Sequence, residues 1–204
     1  MCLPSAHIDH GGPVALSVSR FRSVGFKAQR PRAVFRLLAV GAALCTVSVT
    51  VAAAPPAIAL LDCVVLDDNA AYNDPSVTQT QQTRATMVSA QLRTLVDQRG
   101  LYKVADNRPV TTLIDRLKAS QDLSSCNGCE REIARQLGTQ RVGVCWVQKI
   151  SNLILNINLR IEDTASGQVV FQRSVDIRGN TDQSWRRGVD ALVGLLASEP
   201  DTAH

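Results

Sequence analysis

The clearest period in the chain runs from Leu153 to Ile161. Leu153, Leu155, Ile157, Leu159 and Ile161 alternate there with Ile154, Asn156, Asn158 and Arg160. A period of two predicts a strand with one buried face and one mostly polar face. DTASGQ (163–168) carries the residues of a hairpin connection, and 168–178 reads as the return strand, with Val169, Phe171, Val175 and Ile177 on one side. Upstream, RVGVCWVQKI (141–150) is an apolar strand, and Ser151-Asn152 is a tight turn. These three strands form an antiparallel meander. Two earlier runs, AIALLDCVVLDD (57–68) and LYKVAD (101–106), read as further strands.

Helical spacing fills the intervals. Ala85, Val88, Leu92, Leu95 and Val96 share a face within 82–99, and Gly100 ends that helix. Residues 110–118 predict a short helix. In EREIARQLG, Ile133, Ala134 and Leu137 share a face and Gly138 is the stop. Thr181 is placed to cap a last helix that carries Trp185, Val189, Leu192 and Leu196 on one face. NAAYNDPSVTQTQQ (69–82) is polar, contains Asn, Asp and Pro, and reads as a loop. The order predicts an α+β fold with a single mixed sheet of about five strands. Its early strands are parallel with crossover helices, its last three are the meander, and the helices lie mainly on one face.

Before this pattern lies a different kind of segment. LLAVGAALCTVSVTVAAA (37–54) has no charge, follows the basic Arg36 and closes on small residues. A basic region, an apolar region and small residues in that order are what the export machinery reads. Val51 and Ala53 stand three and one residues before the expected cut, so cleavage falls after Ala53. The expected division is a basic leader and signal over 1–54, one α+β domain over 55–200 and a disordered tail at 201–204. Two other readings stay open: an uncleaved segment that anchors the chain in the inner membrane, since about 18 apolar residues can just span a bilayer, and an organelle transit peptide.

Charge narrows the function classes. The chain is +4 overall, yet six of its 22 basic residues and one of its 18 acidic residues precede residue 55. The domain keeps 16 basic and 17 acidic residues and is close to neutral. Nucleic acid is not an expected partner, because phosphate neutralisation needs many cations on one face. Membrane contact is expected only through a retained signal.

Histidine excludes more. His7, His10 and His204 all lie outside the patterned region. Ser-His-Asp catalysis, Cys-His catalysis and the usual His-rich zinc site therefore lack their imidazole. No Gly-rich phosphate loop follows a strand. No catalytic residue, metal ligand or cofactor is assigned.

Cysteine is the positive signal. Cys126 and Cys129 form a C-x-x-C directly before a helix, where backbone N–H groups and the helix dipole lower a thiol pKa. The pair reads as a structural disulfide pinning the helix start or as a redox pair, and export favours the disulfide. A four-cysteine metal site would need Cys63 and Cys145 to converge on it. Both sit in apolar strands and read as small core residues. Of the carboxylates, Asp67 and Asp68 read as solvated turn residues. Asp62, inside an apolar run, marks an exposed strand face or a bond to a neighbouring loop. A possible interaction surface combines Asn156, Asn158 and Arg160, facing Gln172, Ser174, Asp176 and Arg178 on the paired strand, with the 178–188 segment carrying Arg178, Asn180, Asp182 and Arg186. Arg178 and Asp182 are spaced to pair across the turn, and Trp185 is expected to anchor the helix.

Three blocks in combination, CNGCEREIARQLG, WVQKISNLILNINLRIEDTASGQ and RGNTDQSWRRG, resemble a family of predicted secreted bacterial proteins, the domain-of-unknown-function family 2380. The likeness covers roughly 57–197. It implies an exported bacterial protein and no particular activity. The element order, the IARQLG helix before a strand and the late DTASG hairpin are also similar to the amino-terminal domain of TolB and to curli-secretion and penicillin-binding-protein-activator lipoproteins. That likeness implies an interaction module of the envelope. The expectation is thus a periplasmic or secreted, non-enzymatic domain that binds an envelope protein. The alternative is a thiol–disulfide redox protein using Cys126 and Cys129.

Overall fold

A computed structural model of the chain describes residues 54–199. The leader expected over 1–54, with its cut after Ala53, and the tail at 201–204 lie outside the described residues, Ala54 excepted. The elements are β1 (Ala57–Leu60), β2 (Val64–Asp67), α1 (Pro75–Gln98), β3 (Lys103–Val104), α2 (Thr111–Ser120), α3 (Cys129–Leu137), β4 (Arg141–Lys149), β5 (Ile154–Asp163), β6 (Val169–Arg178) and α4 (Asp182–Ser198). The fold is α+β, with six strands in one mixed sheet ordered β3-β1-β4-β5-β6, and β2 also pairs with β4. β1 runs parallel to β3 and β4, and β4-β5-β6 is the antiparallel meander.

Two cores form because successive strand side chains point to opposite faces. On one face Ile58, Leu60, Val147, Leu155, Ile157 and Leu159 pack with side chains of α1 and α4, including the fully buried Trp185. On the other, Ala59, Leu61, Val142 and Val144 pack with α2 and α3, including Leu113 and Ile133. The two long helices thus take one face, as the pattern predicts for the helices at large, and the two short ones cover the opposite face. At Gly143, between β1 and β5, an added Cβ would collide with the Leu60 side chain.

Residues 57–68 are not one strand. Leu60 pairs with Gly143 and Val64 with Trp146, so Leu61, Asp62 and Cys63 span two positions of β4. The extra residue is a bulge, and it resets which side chains face which core. Leu60 belongs to the α1/α4 side and Leu61 to the α2/α3 side, while Cys63 returns to the first. Helix α1 satisfies the loosened backbone. Arg93 Nη2 donates to Leu60 O at 2.9 Å, Ser89 Oγ accepts from Cys63 N at 2.8 Å, and Asn107 Nδ2 adds a bond to Leu60 O at 2.7 Å. Asp62 is exposed and accepts from Arg93 Nη2 at 2.8 Å, so its partner is helix α1 where a loop was expected.

Helix α1 starts seven residues earlier than the apolar spacing shows. Asp74 caps it by accepting from Ser76 N at 2.8 Å, and Pro75 stands at the first helical position. The polar stretch 75–81, expected as loop, is therefore its first two turns, with Gln81 as the one buried residue among them. At the other helix start, Thr181 and Ser184 form a reciprocal capping box.

Candidate functional site

One end of the sheet gathers the β4–β5 turn, the β6–α4 corner and the N-terminal turns of α1. Arg84 of α1 reaches into the corner: its Nε donates to Asp182 Oδ1 at 2.7 Å and its Nη1 to Asn180 Oδ1 at 3.1 Å. The same Asn180 oxygen accepts from Trp185 Nε1 at 2.9 Å, so one amide ties α1 to the indole buried under α4. Asp182 therefore pairs with Arg84 and not with Arg178, which is exposed. Arg84 holds the Asp182 carboxyl below its ordinary range. The 178–188 segment is not a loop. Arg178 ends β6 and α4 begins at Asp182, leaving three residues between them.

A shallow cavity of about 310 Å³ opens here, lined by Ser76, Val77, Thr80, Arg84, Asn152 and Asn180. Beside it, the turn carries Ile150, Leu153 and Ile154, 55%, 72% and 41% exposed, and Ile150 N donates to Ile154 O at 3.1 Å. Directly behind the turn lies a buried ion pair, Lys149 Nζ to Asp67 Oδ2 at 2.8 Å. Asp67 also accepts from Asn73 Nδ2 at 2.7 Å and from Asn69 N at 3.0 Å. Its side chain is 4% exposed, which corrects the expectation of a solvated turn residue. Burial pushes this carboxyl up, and the bonds from Lys149, Asn73 and Asn69 outweigh it, holding it below its ordinary range.

The hairpin face has the expected register: Asn156 opposite Asp176, Asn158 opposite Ser174 and Arg160 opposite Gln172. Its character changes along its length. Near the turn it is open, with Gln148, Ser174 and Asp176 exposed. Asn158 is buried, and its Nδ2 donates to Asn156 Oδ1 at 2.8 Å. Arg160 is committed to Glu162, Nε to Oε1 at 2.7 Å, and approaches Glu130 of α3 at 3.9 Å. Of the seven residues expected as surface, Arg178 and Arg186 are exposed and unoccupied by any of these contacts, Asn180 and Asp182 form the corner, Asn156 and Asn158 bond each other, and Arg160 is paired with Glu162.

The cysteines pair as Cys63–Cys145 and Cys126–Cys129. The first pair corrects the reading of two separate core thiols. It bridges β4 to the bulge residue, with Cα atoms 4.4 Å apart, and does not approach the second pair's cluster of donors. Around the second pair the chain gathers charged side chains at the opposite end of the β4–β5 hairpin. Glu130, 2% exposed, places Oε2 2.9 Å from Cys126 Sγ. Gly128 holds φ 96, and its missing Cβ leaves room for Arg131, whose Nη2 would stand 3.0 Å from that atom. Burial raises the Glu162 carboxyl above its ordinary range, Arg160 opposes that rise and Glu130 adds to it. Cys126, Cys129 and Glu130 are the one group among the described residues whose donor atoms converge, within 4.8 Å. Joined to each other, the sulfurs are not thiolates, so the trio is no metal centre in this state.

The sequence matches the family described as protein of unknown function (DUF2380) over residues 56–195. The chain belongs to this family. The match takes in the corner residues, the β4–β5 turn and the Cys126–Cys129 cluster together. No curated protein matches the sequence. Among solved structures, lipoprotein GNA1162 from Neisseria meningitidis is 14% identical, with 70% of this chain and 97% of that one covered at a TM-score of 0.48. The LpoB C-terminal domain from Salmonella enterica is 14% identical over 62% and 85%, at 0.41. TolB from Acinetobacter baumannii is 13% identical over 72% and 29%, at 0.36. Likeness of this grade is no guide to what the chain does.

Three functional side chains escape a reading of the sequence: Arg84, Lys149 as the partner of Asp67, and Glu130. Arg84 and Asp182 are 98 residues apart, and Lys149 and Asp67 are 82 apart, so no local spacing links them. Glu130 carried a local signal, a carboxylate directly after a C-x-x-C at a helix start.

Proposed function

We propose that the chain is an exported domain that binds an envelope protein through the end of the sheet formed by the β4–β5 turn and the β6–α4 corner. The observation that carries this reading is the exposure of Ile150, Leu153 and Ile154 together on one turn. Large apolar side chains grouped on a surface, rimmed by polar groups, are the mark of a protein contact. The rim is present in Asn152, Asn180, Arg178 and Arg186, and the Lys149–Asp67 pair and the Arg84 contacts hold the turn and corner rigid behind it. Pre-ordered surfaces lose less entropy on binding. The basic leader followed by an uncharged run at 37–54 supports export.

Chemical cross-linking of intact envelopes tests the reading. The wild-type chain is expected to give a discrete adduct that weakens on joint charge reversal, Arg178→Glu with Arg186→Glu, while the purified variant keeps the wild-type melting temperature. An adduct unchanged by the reversal, or none at all, contradicts it.

A further inference from the structure

The Cys126–Cys129 cluster has features that a disulfide serving only as a staple does not require. A bridge between residues three apart closes too short a loop to add much stability. Yet it lies against a buried carboxyl, and an arginine is fitted over the turn between the two sulfurs. Arg131 occupies the space left by two glycines, Gly128 in the cysteine turn and Gly167 in the β5–β6 turn, where an added Cβ would stand 2.7 Å from Nη1. Cys126 and Cys129 are 9% and 6% exposed, while Asn127 between them is exposed and Gly128 partly so, which makes the turn the side from which solvent approaches the sulfurs. Cys129 is the first residue of α3, where the helix dipole stabilises negative charge on sulfur.

We propose that Cys126 and Cys129 form a thiol–disulfide exchange site that oxidises a dithiol of another polypeptide, with Glu130 carrying the proton to Cys126. The charged groups against Glu130 are Arg160 and Glu162 of β5, and Arg131 of α3 acts on Glu162. One substrate thiol gives its proton to the Glu130 carboxylate, and its sulfur attacks Cys126 Sγ. The bond from Cys126 to Cys129 breaks, and Cys129 leaves as a thiolate at the start of α3. The second substrate thiol loses its proton to solvent, and its sulfur attacks the substrate sulfur of the mixed disulfide. Cys126 is released and takes the proton held by Glu130. The substrate has lost two electrons and two protons and gained a disulfide. The protein has gained two electrons as one thiol and one thiolate, with the remaining proton in solvent. The S–H bond at Cys126 forms 2.9 Å from the Glu130 oxygen, which places this carboxyl to hand over the proton.

The test uses the full-length chain, oxidised, with Cys2→Ser and Cys45→Ser so that only the two described disulfides remain. It is mixed with a reduced synthetic peptide carrying two cysteines, quenched with acid, alkylated and read by mass spectrometry. The peptide is expected to be oxidised one-for-one as Cys126 and Cys129 become alkylated, while Cys63–Cys145 stays closed. Glu130→Gln, close in shape, slows the reaction by about a hundredfold. Cys129→Ser, mixed instead with the peptide in its disulfide form, is held as a mixed disulfide on Cys126, with one peptide thiol released. A Cys126–Cys129 bridge no more reactive than Cys63–Cys145 overturns the site. A reaction that proceeds equally in Glu130→Gln overturns the role of Glu130.

Discussion

Lys149 and Asp67 meet at 2.8 Å where β4 and β2 end side by side, with side chains 6% and 4% exposed. Removing one member of a buried pair leaves the other charged and unsolvated. Lys149→Met is therefore expected to cost about 3–5 kcal/mol, measured by urea unfolding. The pair also contributes to the acid limb of stability. Because the folded Asp67 carboxyl is held below its ordinary range, its contribution is complete above the unfolded value of about 3.9 and is lost as pH falls through the lower folded value. Asp67→Asn lowers stability at pH 7 and removes part of that acid dependence.

The two disulfides differ in what they constrain. Cys63 and Cys145 are 82 residues apart and Cys126 and Cys129 only three. Cross-linking restricts the unfolded chain more as the closed loop lengthens. Replacing Cys63 and Cys145 together with alanine is expected to cost about 3–4 kcal/mol. Replacing Cys126 and Cys129 with alanine costs clearly less. Chemical denaturation of the two double variants checks the ranking.

Asn180 holds both Arg84 and the Trp185 indole on one oxygen. Asn180→Ala leaves a buried N–H and a guanidinium without that acceptor. A loss of about 1–3 kcal/mol is expected, together with a shift in tryptophan emission as Trp185 loses its partner. Asn180→Asp keeps an acceptor and restores most of the stability.

Glu162 titrates in the opposite sense to Asp67. Its folded carboxyl is raised, chiefly by burial, so its contribution to stability is present below the unfolded value of about 4.3 and is lost as pH rises through the higher folded value. Glu162→Gln is expected to make stability less sensitive to pH just above 4, by thermal unfolding across pH 4–7.

The meander was legible because Leu153–Ile161 alternates almost without fault, and Leu155, Ile157, Leu159 and Ile161 are fully buried. The capped start of α4 at Thr181 was legible for a local reason too, since its bonds span three residues. What stayed hidden was set by distant pairing or by an interruption of period. Arg84 gives no sign in sequence that it will hold Asn180 and Asp182. The bulge at Leu61–Cys63 breaks the alternation, so the strand read as one continuous run and Cys63 as an unbonded core thiol. The first turns of α1 were hidden by their polarity, although Asp74-Pro75 is itself a helix-start signal.

The central claim is that the β4–β5 turn is a protein-binding surface. A photo-cross-linking residue placed at Leu153 in the native envelope tests it most directly, with the same residue at the exposed Arg135 of α3 as the comparison. The account predicts one strong adduct of defined mass at position 153, absent at 135 and lost when Ile150→Asp is added to the folded chain. Equal adducts at the two positions, or an adduct at 153 that survives Ile150→Asp, would contradict it.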